Sequence, residues 1–117
     1  MEALIIEDEI DVCYLLSTIL KNKQIQPSYV NTLADAKSFL KTHHPEIIFL
    51  DNHLPDGTGV DFINKIKKVS PQSKIILITA YDTVADRTKA QTEGADYFIA
   101  KPFTRDTIYN TVKMFTL

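Results

Sequence analysis

Five polar side chains stand at the ends of four short apolar runs, and their types suit chemistry on a phosphoryl group. Glu7 and Asp8 follow the first run, Asp51 follows IIFL, Thr79 follows IILI, and Lys101 follows YFIA. Carboxylates crowded within a few ångströms repel one another unless a cation lies among them. An open, all-oxygen site suits Mg²⁺, and a lysine and a hydroxyl opposite the metal would bind the remaining phosphoryl oxygens. Such a cluster predicts phosphoryl transfer, which depends largely on positioning and charge neutralisation.

Each of these residues also has a structural explanation when it is taken singly. Acidic residues often precede a helix, threonine is common in strands, and lysine is usually a solvated surface charge. The alternative for Asp51 is that its carboxylate only shapes the following turn, which contains Pro55, Asp56, Gly57 and Gly59. Convergence of several strand ends on one crevice would favour the functional interpretation. Whether these residues converge depends on the strands and helices that carry them.

Those elements alternate between strands and helices along the chain. Apolar runs typical of strands lie at Ala3–Ile6, Ser28–Val30, Ile47–Leu50, Lys74–Ile78 and Tyr97–Ile99. Apolar residues at helical spacing follow each run. They are Val12, Leu16, Ile19 and Leu20; Leu33, Ala36, Phe39 and Leu40; Phe62, Ile63, Ile66 and Val69; a weaker pattern across residues 83–93; and Ile108, Val112 and Phe115. This order predicts five βα units.

Several residues mark helix ends. Thr32 and Thr104 are predicted N-caps, with Asp35 at the capping-box position of the second helix. Gly94 is predicted to end the fourth helix. The apolar residues of that helix are only Val84, Ala85 and Ala90. With so little to bury, the fourth helix is expected to be weakly anchored and able to move.

Alternating strands and helices predict an α/β domain, because right-handed crossovers must carry the chain back across a parallel sheet. The runs IIFL and IILI suit central strands buried on both faces, whereas residues 28–30 suit an edge. We expect a single doubly wound (βα)5 domain over residues 1–117, with a five-stranded parallel sheet in the flavodoxin-like order 2-1-3-4-5. Ligands bind such sheets beyond the carboxyl ends of the strands, here between the first and third strands.

Composition excludes several other classes of function. The formal net charge of −2 gives no global basic field for nucleic acid or anionic lipid. No window approaches the roughly 18 consecutive apolar residues of a membrane span, and the acidic residues after MEALII do not fit a signal peptide. The lone Cys13 fits a reducing cytosol and is expected to be a small buried hydrophobe. A cytoplasmic location without direct nucleic-acid or membrane binding is therefore expected.

The sequence resembles the receiver domain of two-component response regulators over essentially its whole length. The matching motifs are IIEDE at 5–9, FLDNHLPDGTG at 49–59, LITA at 77–80 and GADYFIAKPF at 94–103. Their order and spacing are those of the family. The region from residue 79 to residue 103 is most similar to receivers of the NtrC type. Tyr97 stands where the OmpR type usually has a second aspartate, which disfavours an OmpR-like dimer.

The resemblance implies a role for each residue of the cluster. Asp51 would be the phosphoacceptor, attacking the phosphohistidine of a sensor kinase. Asp8, Asp51 and the backbone carbonyl of His53 would bind Mg²⁺, with Glu7 helping through a water molecule. Thr79 would donate a hydrogen bond to a phosphoryl oxygen. The family more often has aspartate where this chain has Glu7, but the longer side chain can still reach the water shell of the metal.

The resemblance also implies residues that transmit the signal. Lys101 would pair with the phosphoryl charge, and the peptide bond before Pro102 would be cis. The aromatic switch residue of the family lies three positions before that lysine, so here it is Phe98 and not Tyr97. Phe98 lacks a hydroxyl, so no hydrogen bond can hold its inward state.

Three more residues flank the expected phosphoryl position, namely Asn52, His53 and Tyr81. They could alter the lifetime of the phosphoryl group. For His53 the alternative is that only its carbonyl matters and its ring faces solvent. His43 and His44 precede Pro45 without a cysteine at ligand spacing, so they are interpreted as surface residues and not as a metal site.

Three other functions compete with a phosphoacceptor. A flavodoxin needs a hydroxyl- and glycine-rich loop after the first strand, where this chain has EDEIDV. A haloacid-dehalogenase-type phosphatase places a second acid two residues after its nucleophile, and His53 stands there. A degenerate receiver that serves only as a binding module would be expected to lose Asp51, Asp8 or Lys101.

The resemblance implies a phosphoacceptor that takes part in its own phosphorylation and dephosphorylation, not an enzyme in the usual sense. Its expected partners are a sensor histidine kinase or a phosphotransfer protein, and an output domain or a partner protein. A phosphorylation-dependent homodimer is also possible within the family. The surface from the fourth helix through the fifth strand to the fifth helix is the expected contact face.

Overall fold

The computed structural model describes residues 1–80 and 83–116. Its strands are β1 Glu2–Ile6, β2 Gln26–Val30, β3 Ile47–Asp51, β4 His53–Leu54, β5 Gly57–Thr58, β6 Lys74–Thr79 and β7 Tyr97–Ala100. Its helices are α1 Ile10–Lys21, α2 Leu33–Leu40, α3 Gly59–Val69, α4 Val84–Glu93 and α5 Arg105–Phe115. No helix of these described segments has the length and apolar character needed to cross a membrane.

The main sheet has five parallel strands in the order β2-β1-β3-β6-β7. Because β4 and β5 belong to a separate hairpin, this is the order 2-1-3-4-5 of the five βα units, and the predicted flavodoxin-like fold is confirmed. The central strand β3 is buried throughout, as its unbroken apolar run predicts. Strand β2 is an edge, two residues longer at its start than the pattern at 28–30 indicated.

The antiparallel hairpin of β4 and β5 was not predicted from the sequence. His53 pairs with Thr58, and Leu54 with Gly57. Gly57 has a φ of 151°, a conformation that side-chain-bearing residues rarely adopt. Each strand has only two residues, which is too short for alternation to be visible. Pro55, Asp56 and Gly57 therefore indicated only a turn.

Apolar side chains fill both faces of the sheet. Along β1, Ile5 contributes to the layer under α1 and α5, whereas Leu4 contributes to the layer under α2, α3 and α4. This alternation follows from the two-residue period of a strand. Cys13 is buried in the first layer, as predicted. The two packed layers determine where the carboxyl ends of β1, β3, β6 and β7 lie.

The predicted helix ends are confirmed. Thr32 Oγ1 accepts a hydrogen bond from the backbone N–H of Asp35 at 3.1 Å, and Thr104 Oγ1 accepts one from Thr107 at 3.1 Å. Gly94 ends α4 with a φ of 111°, the left-handed conformation favoured at this position.

Two helical patterns need correction. Val69 was placed in the apolar stripe of α3, but it is 51% exposed and lines a groove between α2 and α3. Val84 and Ala85 were expected to help anchor α4, but both are exposed and only Ala90 is buried. At about 100° per residue, Val84 and Ala85 lie roughly 120° and 140° around the helix from Ala90, so they face away from the sheet. Helix α4 is thus held by even less apolar surface than predicted.

Candidate phosphoacceptor site

The predicted carboxylates meet at the carboxyl edge of the sheet. Strands β1 and β3 are neighbours with Ile6 opposite Leu50, so Glu7 and Asp51, one residue further along each chain, lie side by side. One carboxylate oxygen from each of Glu7, Asp8 and Asp51 lies within 4.8 Å of the other two. Sequence reasoning therefore placed these three residues together correctly.

The three carboxylates differ in exposure to solvent. Glu7 is 3% exposed and Asp51 is 5% exposed, whereas Asp8 is exposed. The backbone of Glu7 is fixed on two sides, because its N–H donates to Val30 O at 3.0 Å and its carbonyl accepts from Asn31 Nδ2 at 2.9 Å. Asp8 is thus the carboxylate open to solvent, while the other two form the inner wall of the crevice.

Lys101 supplies the positive charge of the site. Its Nζ lies 2.9 Å from Glu7 Oε1, 3.5 Å from Asp51 Oδ1 and 3.8 Å from Glu9 Oε1. Its backbone N–H donates to Thr79 O at 2.8 Å, and the Lys101–Pro102 peptide bond is cis, as the resemblance implied. The shortest charged contact of the lysine is therefore with Glu7, which sequence reasoning had assigned only to the metal's water shell.

Burial changes the protonation of this cluster. It raises the pKa of Glu7 to about 7, and the hydrogen bond from Lys101 only partly opposes the effect. Burial also raises the pKa of Asp51, against the opposing charge of Lys101. For Lys101 burial acts to lower the pKa, but the hydrogen bond to Glu7 and the charge of Asp51 outweigh it, and the pKa is raised. The crevice therefore favours a bound cation, since a cation offsets the cost of keeping both buried acids ionised.

Thr79 ends β6, the strand that lies between β3, which carries Asp51, and β7, which precedes Lys101. Thr79 is fully buried. Asp51 is paired with Ile78, and Thr79 is paired with Ala100, the residue before Lys101. The register thus brings the ends of β1, β3, β6 and β7 to one crevice, as the predicted strand order requires.

Comparison with known proteins identifies the family. The sequence model described as "Response regulator receiver domain" matches residues 3–113. The chain belongs to the response regulator receiver domain family. Members of this family are phosphoacceptors of two-component systems, which agrees with the chemistry of the crevice.

Individual relatives agree with this assignment. Regulatory protein LuxO of Vibrio cholerae is 33% identical over 107 residues, which cover 92% of this chain and 24% of LuxO. The chain thus spans about a quarter of the length of that relative. The beryllofluoride-activated NtrC4 receiver domain dimer is 36% identical, with a TM-score of 0.92 over 97% of this chain and 93% of that one. A two-component response regulator from Clostridium difficile is 26% identical, with a TM-score of 0.94 over 98% and 94%.

The neighbours of the acceptor have distinct roles in this receiver. Asn52 Oδ1 accepts from the N–H of Val60 at 3.0 Å, and the Asn52 carbonyl accepts from Gly59 at 2.9 Å. The oxygen of this side chain therefore holds the start of α3, and an effect of Asn52 on the lifetime of the phosphoryl group stays a prediction. His53 is exposed on β4, and Tyr81 lies outside the described residues.

Gly59 is required by the close approach of α3 to the acceptor strand. A Cβ atom built on Gly59 would lie 2.3 Å from the carbonyl oxygen of Asp51 and 2.9 Å from Leu50 Cγ. Only glycine allows this contact without a shift of the backbone that carries the acceptor. The sequence had indicated a turn glycine, not a packing contact.

Asp56 has a structural role that the sequence did not indicate. Its Oδ1 accepts from Leu33 N–H at 2.9 Å and its Oδ2 from Ala34 N–H at 3.0 Å. These hydrogen bonds lower the pKa of Asp56. The carboxylate thus caps the N-terminus of α2 from the hairpin that follows the acceptor. No local signal could have revealed this, because the two partners are more than twenty residues apart.

The predicted switch residue lies against α4. The ring of Phe98 is half-buried in the layer under α2, α3 and α4. The guanidinium carbon of Arg87 lies 4.7 Å from its centroid, which is cation–π distance. Tyr97 points to the other side of β7 and makes an edge contact with Phe115 at 6.5 Å. The choice of Phe98 over Tyr97 therefore selects the ring that contacts α4.

Proposed function

We propose that residues 1–117 act as one receiver domain that accepts a phosphoryl group on Asp51 from the phosphohistidine of a sensor kinase or phosphotransfer protein. The convergence of Glu7, Asp8, Asp51 and Lys101 at the carboxyl edge of the sheet is the observation that carries the proposal. A carboxylate oxygen of Asp51 attacks phosphorus, the P–N bond breaks, and its electron pair leaves with the imidazole. The product is an aspartyl phosphate.

The oxygen donors of the crevice fit Mg²⁺. Asp8, Asp51 and the backbone carbonyl of His53 would hold the ion directly, and Glu7 would hold it through water. Bound Mg²⁺ neutralises charge on the phosphoryl oxygens during transfer. The exposure of Asp8 supports this assignment, because Mg²⁺ sites in proteins usually retain several waters.

Lys101 and Thr79 act on the product. Lys101 is held 3.5 Å from Asp51 Oδ1, so its ammonium can pair with the negative charge of the phosphoryl group once the acyl phosphate has formed. Thr79 would donate its hydroxyl to a phosphoryl oxygen and draw the segment after β6 towards the site. The residues of this step are buried or half-buried, which strengthens their electrostatic interactions.

The signal is proposed to reach the α4–β7–α5 surface through Phe98. Movement of the segment after β6 opens space into which the ring of Phe98 can rotate. This rotation is favourable, because it removes apolar surface from water. Helix α4 can follow, because Ala90 is its only buried residue. Two packings of similar free energy make this a population shift. The surface would then control an output domain or partner protein, or form a phosphorylation-dependent homodimer, in the cytoplasm.

A degenerate receiver that binds partners without phosphorylation is the alternative. The presence of Asp51, Asp8 and Lys101 argues against it. Incubation with acetyl phosphate and Mg²⁺, followed by intact mass spectrometry, separates the two functions. A phosphoacceptor gains the mass of one phosphoryl group. Incubation at alkaline pH then removes this mass, because an acyl phosphate is hydrolysed under these conditions. An unchanged mass would leave only the binding module.

A further inference from the structure

A groove between α2 and α3 lies apart from the acceptor crevice and from the α4–β7–α5 surface. Its volume is about 280 Å³. Its floor is apolar and consists of Leu40, Phe62 and Val69. Leu40 and Phe62 are almost fully covered, but Val69 is 51% exposed. The inward face of α3 is already filled by Ile63 and Ile66, so Val69 adds apolar surface to the groove and not to the core.

Four lysines surround this floor, two on α3, one on α2 and one at the C-cap of α2. They are Lys37, Lys41, Lys65 and Lys68. All four are exposed, and within residues 1–80 and 83–116 none of them has an ion-pair partner. By contrast, Lys67 on α3 forms an ion pair with Asp96 at 3.1 Å. No carboxylate is among the described residues that line the groove.

The spacing of the lysines suits a ligand laid between the two helices. Lys37 lies on α2 and Lys41, four residues later, is its C-cap, while Lys65 and Lys68 are three residues apart on α3, so each pair forms a row along one helix axis. Four unpaired positive charges close together repel one another, and this local excess contrasts with the net charge of −2. A binding partner with negative charge on both edges would remove the repulsion.

We propose that this α2–α3 groove docks an acidic amphipathic segment of a partner protein. Apolar side chains of the segment cover Leu40, Phe62 and Val69, and its carboxylates pair with the four lysines. A volume of about 280 Å³ accommodates one or two side chains, as expected for anchors at helical spacing in a groove. A flat membrane surface would reach only Val69 of this floor, and the backbone of a nucleic acid presents phosphates and sugars but no apolar side chain to cover it.

Docking here is independent of phosphoryl transfer. The groove residues do not include any residue of the acceptor crevice or any residue of α4, β7 or α5. Failure of the docking proposal and failure of the phosphoacceptor proposal are therefore separate results, and the Asp51→Asn variant should bind the same segment.

The test uses the 117-residue chain and a synthetic helical peptide that has a leucine stripe flanked by glutamates. Isothermal titration calorimetry gives Kd, and amide chemical shifts locate the site. We expect shifts clustered in residues 33–41 and 60–69. Lys37→Glu combined with Lys68→Glu should weaken binding at least about tenfold, because two attractive charge pairs become repulsive. The matched control combines Lys21→Glu with Lys113→Glu and should change Kd less than about twofold.

A second pair of variants tests the apolar floor. Val69→Asp should weaken binding at least about tenfold, whereas Val84→Asp, at a valine of α4 that is 82% exposed and lies outside the groove, should leave Kd unchanged. Peptides with lysine in place of glutamate, or serine in place of leucine, should not bind. The proposal is overturned by absence of binding, by equal binding of the lysine peptide, or by shifts outside the two helices. Binding of phosphatidylserine vesicles that depends on the same lysines, without peptide binding, would assign the groove to a membrane instead.

Discussion

Magnesium should stabilise the folded receiver through its three carboxylates, and Asp8 offers the cleanest test. Asp8 belongs to the cluster with Glu7 and Asp51, but it is exposed and has no ion pair with Lys101 among the described residues. Asp8→Asn therefore removes a proposed metal ligand without disturbing the buried pair of Glu7 and Lys101. Without metal the variant should melt slightly higher, because it removes one carboxylate charge from a crowded cluster.

The expected magnitude follows from mass action. A ligand that binds only the folded state at 100 times its Kd stabilises that state by about 2.7 kcal/mol. Unfolding entropy of about 2.1 cal/mol/K per residue gives about 0.25 kcal/mol/K for 117 residues. Magnesium at that concentration should thus raise Tm by about 11 °C. A hundredfold loss of affinity in Asp8→Asn would leave about 0.4 kcal/mol, or less than about 2 °C.

Circular dichroism melts in EDTA and in a magnesium series measure both effects. Asp11→Asn is the matched control, since Asp11 is an exposed aspartate in the first turn of α1, outside the cluster. It should respond to magnesium like the unmodified protein. A Tm that does not change with magnesium, or an Asp8→Asn variant that responds fully, would refute the assignment of the carboxylates to a metal.

Three further predictions concern packing, pH and switching. Gly59→Ala should lower the free energy of unfolding by about 1–3 kcal/mol in urea titrations, because its Cβ meets the Asp51 carbonyl; Asn64→Ala, on the exposed face of α3, should cost far less. Without divalent cations, stability should decrease as pH rises from about 4.5 to about 7, since Glu7 has a raised pKa and the folded state holds its proton over that range. Glu7→Gln should flatten this dependence, and a stability that rises over the same range would contradict it. Beryllofluoride, a mimic of the aspartyl phosphate, should shift amide resonances from the crevice into residues 80–103. Shifts confined to the surroundings of Asp51, or spread through residues 33–42, would exclude the proposed route.

The fold could be predicted because its determinants are local and periodic. The runs IIFL and IILI show by themselves that β3 and β6 are buried on both faces, and Thr32, Gly94 and Thr104 mark helix ends by residue type. Helix α4 was harder, since a helical period does not say which of its few apolar residues faces the sheet. The β4–β5 hairpin was invisible because two-residue strands carry no pattern.

The site could be predicted only as far as strand ends and residue types determine it. Parallel strands place Glu7, Asp51 and Lys101 at one edge once the strand order is known. Their pairing could not be predicted, because the preference of Lys101 for Glu7 over Asp51 depends on side-chain geometry. The cap of Asp56 on α2 depends equally on how the loops meet in space.

The identity of the phosphoacceptor is the central claim, and one measurement tests it most directly. The unmodified protein and Asp51→Asn are incubated with acetyl phosphate and Mg²⁺, and their intact masses are compared. An amide cannot attack phosphorus, so the unmodified protein should gain one phosphoryl group and Asp51→Asn should gain none. Full modification of Asp51→Asn would show that another carboxylate, such as Glu7 or Asp8, is the nucleophile, and would contradict the account.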